Sequence, residues 1–204
     1  MPTREYTWLA SAAHEGQPRR CCNVEPDRPG WLEYCIDAAG IITAVSSRWD
    51  AFARANGSPE LCADRVVGAK LWSFITDDTT ILLYQELLNR SRKSQRAACF
   101  PFRCDSPTLR RELEMMIVPL ADGATAFRTW ATRIVPRAAN ALLDSGVPRS
   151  AKHVTMCGWC KRVRLPRGEW LELEEATIRL RLLGDAAPPQ ITHGICPRCA
   201  DQFG

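Results

Sequence analysis

Nowhere in its 204 residues does the chain approach the run of roughly 18 apolar residues that a membrane-spanning helix needs, so no such helix is expected. Its opening, Met-Pro-Thr-Arg-Glu-Tyr-Thr-Trp, lacks the basic and then apolar order of a secretory signal, and a cytoplasmic setting with reduced thiols is the expectation. Gly-x-Ser-x-Gly, a Gly-rich phosphate loop ending in Lys, and His-Glu-x-x-His are all missing, which removes the local signatures of serine hydrolases, P-loop NTPases and zincins. No internal repeat or low-complexity tract is visible. On these grounds the chain is expected not to be an enzyme.

What is present is ordinary globular material, 46% hydrophobic and 25% charged, with 27 Lys and Arg against 23 Asp and Glu. The formal charge of +4 counts cysteines as neutral. Four thiolates around one Zn²⁺ would bring the total to about +2, leaving little general drive toward nucleic acid. The arginines are interspersed with acids instead of forming a basic stripe.

The strongest chemical statement lies near the C-terminus, in Met-Cys157-Gly-Trp-Cys160-Lys and Ile-Cys196-Pro-Arg-Cys199-Ala. Two residues between cysteines let one tight turn aim both sulfurs at a point about 2.3 Å away, and a second pair completes a tetrahedron suited to zinc. Strained Cys-x-x-Cys disulfides are redox-active and seldom serve as staples, so zinc is favoured over disulfides or four buried thiols. His193, three residues before Cys196, is expected to donate to a metal-bound sulfur, not to displace a thiolate. Gly158 is expected to bring backbone N–H groups toward sulfur and Pro197 to fix the knuckle turn; Trp159 and Trp170 would pack beside the metal. A closed four-sulfur site offers no open position for substrate.

Residues 1–29 show no sustained period and read as an N-terminal arm. Periodicity begins at Trp31: a strand to Ile36, a turn at Asp37–Gly40, a partner strand Ile41–Val45, and a helix carrying Trp49, Phe52 and Ala53 that ends at Gly57. A compact apolar stretch, Val66–Ile75, precedes a long helix from Asp78 to about Arg92, with Ile81, Leu83, Tyr84, Leu87 and Leu88 on its apolar face. Strands are expected at 97–104, 109–120 and 124–135, separated by the turn residues Asp105-Ser-Pro107 and Asp122-Gly123. In the second of these strands Leu109, Leu113, Met115 and Ile117 fall on one face, while Arg110 and Arg111 read as a solvated strand edge. Residues 137–152 read as a linker with a short helix around 138–143, and the module 153–204 as knuckle, strand at 169–173, helix at 174–183, strand and second knuckle.

The element order over 30–136, together with Asp37-Ala-Ala-Gly-Ile-Ile-Thr-Ala-Val-Ser-Ser-Arg-Trp and Val67-Gly-Ala-Lys-Leu-Trp-Ser-Phe-Ile75, resembles a PAS sensory domain. The tail, with Cys157-Gly-Trp-Cys160, Gly168-Glu-Trp170 and Thr192-His-Gly-Ile-Cys196-Pro-Arg-Cys199, is similar to a cysteine-rich module appended to bacterial PAS and response-regulator proteins. The resemblance implies an α+β protein: a PAS-like antiparallel five-stranded sheet with flanking helices, plus a small zinc-ribbon-like module. It further implies a sensor that binds a ligand or dimerises, with residues 1–29 contributing to a homodimer, and a module that docks a signalling partner protein.

Trp72, Phe74, Tyr84, Phe102, Met115 and Trp130 are the candidates to line a ligand pocket, each with hydrophobic core as the plainer role. The three histidines, His14, His153 and His193, all lie outside the PAS-like region, leaving only Cys35, Cys62, Cys99 or Cys104 as axial ligands; haem is therefore disfavoured. No Asn-Cys-Arg-Phe run for a flavin adduct occurs, so noncovalent flavin or a small apolar metabolite stays open. Two other readings stand beside the signalling one. A zinc-ribbon regulator would contact nucleic acid through Lys161, Arg162, Arg164 and Arg167, and a thiol-redox sensor would release zinc on oxidation.

Overall fold

A computed structural model describes residues 30–75, 77–182 and 187–202; the N-terminal arm, Leu183 at the expected end of the last long helix, and the dimer role assigned to residues 1–29 lie outside them. Among the described residues the chain forms two compact units, 30–101 with 113–133, and 102–112 with 134–202.

The first unit is built on a mixed α+β arrangement. Strands β1 (Leu32–Ile36) and β2 (Ile42–Val45) form the expected antiparallel hairpin, with Cys35 opposite Ala44. Its turn is closed by Asp37, whose carboxylate accepts the Ile41 N–H at 2.9 Å, and by Gly40 at φ +82°. A Cβ on Gly40 would come within 3.1 Å of the Trp72 indole, so glycine is required there by both conformation and space. The outer edge of β2 is covered by 68–71: Gly68 N–H donates to the Ile42 carbonyl and Ile42 N–H to Ala69.

Helix α1 (Trp49–Ala55) and the short α2 (Ala63–Val66) are tied together by Asp50, which accepts the Ala63 N–H at 2.7 Å, and by Trp49 Nε1 donating to the Leu61 carbonyl. The long helix α3 (Asp78–Ser94) begins as the acidic run Asp77-Asp78 suggests, with the Asp77 carboxylate accepting the Thr80 N–H. It ends at Gln95, a non-glycine residue in the left-handed region at φ 53°, which sequence reading had no signal to identify. Leu87 and Leu88 are buried, while Leu82 projects into solvent.

Strands β3 (Ala98–Arg103), β4 (Leu109–Pro119) and β5 (Thr125–Pro136) complete an antiparallel sheet in the order β2-β1-β5-β4-β3. Strand β1 pairs with β5, Tyr34 opposite Phe127, so β1 lies inside the sheet between β2 and β5. Met115 and Ile117 are buried as the alternation requires. Met116, on the opposite face, is buried as well, so this strand is covered on both sides. Across the helix end, Arg92 donates to the Asp37 carbonyl at 3.0 Å and to Thr125 Oγ1 at 3.0 Å, clamping α3 to the β1–β2 turn and to β5.

The second unit contains a smaller sheet, β8-β7-β6-β9, formed by β6 (His153–Cys157), β7 (Val163–Arg164), β8 (Trp170–Leu171) and β9 (Gln190–Gly194). Helix α4 (Leu173–Arg179) packs Leu173 and Ala176 on Met156 and Val163. The sequence pattern predicts this helix to residue 183. It closes sooner because Arg181 takes a left-handed conformation at φ 53°, with Leu182 N–H returning to the Thr177 carbonyl. Residues 137–152, read as a linker, supply a 3₁₀ turn at Ala141–Leu143 whose Leu142 is buried in this same core. Asn140 caps that turn and is itself held by Thr177. Among the described residues no helix is long and apolar enough to cross a membrane.

Candidate metal centre

Strands β6 and β9 run parallel as neighbours, pairing Thr155 with Thr192, Met156 with His193 and Cys157 with Gly194. Parallel pairing brings their C-terminal ends side by side, and each strand runs directly into one Cys-x-x-Cys segment. Residues separated by 36 positions are thereby delivered to one point: the Cys160 and Cys196 sulfurs lie 3.6 Å apart.

The first knuckle is a turn in which Cys157 N–H donates to the Arg162 carbonyl at 2.7 Å and Lys161 N–H donates to the Cys157 carbonyl at 3.0 Å. Lys161 is left-handed at φ 62°, and its ammonium reaches back to the Gly158 carbonyl at 2.8 Å. The second knuckle is the opening of α5 (Pro197–Ala200): the Cys196 carbonyl accepts the N–H groups of Cys199 and Ala200, and Pro197 occupies the first helical position, where no N–H is needed. The two knuckles are also joined to each other. Gly158 N–H donates to the Gly194 carbonyl at 2.9 Å, and Cys196 N–H points at the Cys157 sulfur at 3.5 Å. The expected N–H···S contact therefore comes from Cys196, while the Gly158 N–H serves backbone pairing.

All four sulfurs lie within 4.8 Å of one another, and Cys157, Cys196 and Cys199 are buried. A regular tetrahedron with metal–sulfur bonds of about 2.3 Å has edges of about 3.8 Å, so the spacing suits a single ion, whereas a disulfide would need sulfurs about 2.05 Å apart. The thiols of the set also share protons among themselves. Hydrogen bonds from the Cys160 and Cys199 thiols hold the Cys157 thiol far below its ordinary range, with burial opposing. The donor Cys160 is pushed up to about 12, because it gives its proton to Cys157 and is itself partly buried; Cys199 is raised by its hydrogen bonds to Cys157 and Cys160 and by burial. Deprotonating all four would crowd like charges together, a repulsion that a cation between them would offset, and the arrangement can hold a metal ion.

His193 is exposed and is not a member of the metal-capable cluster, which among the described residues comprises the four cysteines. Trp159 is buried between the two ligands of the first knuckle, and Trp170 is half-buried with its ring edge near Gly194.

Around this knuckle lies an ion-pair network that the sequence did not disclose. Arg103 and Asp105 pair closely, with side chains 7% and 0% exposed. Arg103 Nη1 also meets Glu172 at 2.7 Å, Glu172 meets Arg162 at 3.0 Å, and Asp105 accepts from Arg137 at 3.2 Å and from the Arg111 N–H at 3.1 Å. Burial works to raise the Glu172 carboxyl, but the Arg162 hydrogen bond and the charges of Arg103, Arg110 and Arg162 outweigh it and hold it below the usual range. Arg110, read as part of a solvated edge, pairs with Glu112 and Glu172, and Arg111 Nε donates to the Cys104 carbonyl. No spacing rule links positions 69 residues apart, as Arg103 and Glu172 are.

The six pocket candidates serve different surroundings. Met115 is buried, and Tyr84 meets Phe100 edge-on at 6.4 Å and lies 6.4 Å from Phe127, which stacks on Tyr34. Trp130 stacks on Trp31 at 4.9 Å, Trp72 backs the Gly40 turn, Phe74 is 39% exposed, and Phe102 belongs to the second unit. Cys35, Cys62, Cys99 and Cys104 lie outside the metal-capable cluster. No family model matches the chain, and no curated protein matches it.

Proposed function

We propose that this is a non-enzymatic signal-transduction protein of the cytoplasm, in which a PAS-like sensor or dimerisation domain is coupled to a structural zinc module that docks a partner protein. The observation that carries the reading is the convergence of four cysteine sulfurs at the paired ends of β6 and β9. Cys157, Cys160, Cys196 and Cys199 would hold zinc, and the ion would supply most of the folding free energy of so small a module, of order 10 kcal/mol. Support for the PAS-like reading comes from the order of elements: two strands, short helices, a long helix and three strands forming one sheet.

The nucleic-acid reading loses part of its basis, because Arg162 is committed to Glu172 and the Lys161 ammonium to the Gly158 carbonyl. Exposed Arg164 and Arg167 alone make a small phosphate-binding surface. The deciding experiment compares co-purification from the source cells of the wild-type chain and Cys196→Ser/Cys199→Ser, with absorbance and metal content read on the same samples. A partner retained by the zinc-loaded wild type and lost by the variant supports the proposal. Equal retention by both contradicts docking through the zinc module.

A further inference from the structure

We propose that occupancy of the four-cysteine site governs the order of the hairpin tip 102–112, with Arg103 as the positioning residue that joins the two; the inference rests on the metal reading above. Two separate routes connect them, both within the second unit. Along the backbone, Arg103 N–H donates at 2.8 Å to the carbonyl of Trp159, which lies between Cys157 and Cys160. Along the side chains, the Arg103 guanidinium bonds Glu172, Glu172 bonds Arg162, and the Arg162 carbonyl accepts the Cys157 N–H.

The tip has few alternatives to this arrangement. The side chain of its Asp105 is wholly buried and is satisfied by Arg103, Arg137 and the Arg111 N–H. Arg137 in turn anchors the tip through its N–H to the Thr108 carbonyl and its guanidinium to the Ser106 carbonyl. Buried charges of this kind are stable only when every partner is in place. A bound cation fixes the Cys157–Cys160 turn, and with it the Trp159 carbonyl and Arg162. When the cation leaves, four crowded sulfurs no longer hold that turn, Arg103 loses partners on both routes, and the tip is released. Strands β3 and β4 each contribute residues to both units, so the tip belongs to the strands of the larger sheet. By linkage the effect is reciprocal: whatever loosens the tip weakens metal binding by the same factor.

The test is amide hydrogen exchange on the full chain under reducing conditions, zinc-loaded and after stripping by a chelator, with released metal counted in the same sample. Stripping is expected to lower protection across 102–112 at least about tenfold while α3 and β1 keep theirs. Unchanged protection at the tip with the metal gone overturns the inference, as does an equal loss everywhere. A chain that takes up no metal defeats the metal reading and the inference together, and the metal count tells that outcome from the others. In the zinc-loaded protein, Arg103→Ala is expected to speed zinc transfer to a chelator about tenfold, Arg103→Lys to restore part of it, and Arg90→Ala at an exposed pair to change nothing. Where Arg103→Ala fails to fold, Glu172→Gln serves instead, with transfer sped about fivefold. Wild-type transfer rates in the variant that folds refute the coupling.

Discussion

Replacing Asp105 with alanine removes a buried carboxylate from the second unit. Its carboxylate is fully buried and meets two guanidinium groups, Arg103 and Arg137, whose side chains are 7% and 8% exposed. The change removes the counter-ion that the two buried guanidinium groups share and leaves Arg103 with Glu172 and Arg137 with Glu174. Breaking a buried pair by deleting one member costs about 3–5 kcal/mol, against a total stability of about 5–15 kcal/mol for a domain. The exposed pair Arg179–Glu175, an i,i+4 contact on α4 of the same unit, gives the contrast, since Arg179→Ala should cost only about 0.3–0.5 kcal/mol. Hydrogen exchange of the peptide covering α4, followed in rising urea with zinc bound, reads the opening free energy of this unit. At about 1.4 kcal/mol per factor of ten, protection should fall by roughly two to three and a half orders of magnitude. A loss below about 1 kcal/mol, close to that of Arg179→Ala, would refute the claim that buried charge holds the hairpin tip in place.

Gly40→Ala should lower the stability of the first unit by about 1–2 kcal/mol, because alanine resists φ +82° and its Cβ meets the Trp72 indole; an unchanged melting temperature would dismiss the steric argument. The pH dependence of Glu172 has a defined sign. Its folded value is held below its unfolded one, so its contribution is present above the ordinary range near pH ~4.3 and fades as pH falls through the folded value. Wild type and Glu172→Gln should thus differ near neutral pH, by about 1 kcal/mol or less after solvent screening, and converge in acid; a gap still undiminished at pH 3 would contradict this. Burial, helped by the neighbouring Tyr84, raises the Tyr34 phenol well above its ordinary value, so its neutral form is stabilising up to about pH 10 and that stability is lost as pH rises further. Tyr34→Phe should accordingly flatten the alkaline limb of the stability profile measured by urea midpoints; a limb as steep as that of wild type would reject this account.

The larger unit was legible because its elements announce themselves locally. The hairpin needs only Asp37 and Gly40 between two β-rich runs, and α3 needs only an acidic cap and an apolar face, so their observed bounds match those read from sequence within one or two residues. The four sulfurs were legible for the same reason, since spacing alone predicts that each pair shares a target. What brings the pairs together was not, because parallel pairing of β6 with β9 is a contact between distant segments with no turn to mark it. Gln95 and Arg181 end their helices in left-handed conformations without glycine, which no local rule anticipates. Asp105 illustrates the remaining gap: its position in Asp-Ser-Pro reads as turn chemistry, and only the folded chain supplies the two arginines that make it a buried anchor.

The central claim is that Cys157, Cys160, Cys196 and Cys199 close around one structural zinc ion, and metal content of the reduced, purified chain tests it most directly. The account predicts about one zinc per chain, lost when the four cysteines are replaced by serine. Protein that folds and carries no metal, or a four-serine variant that still retains it, would contradict the claim.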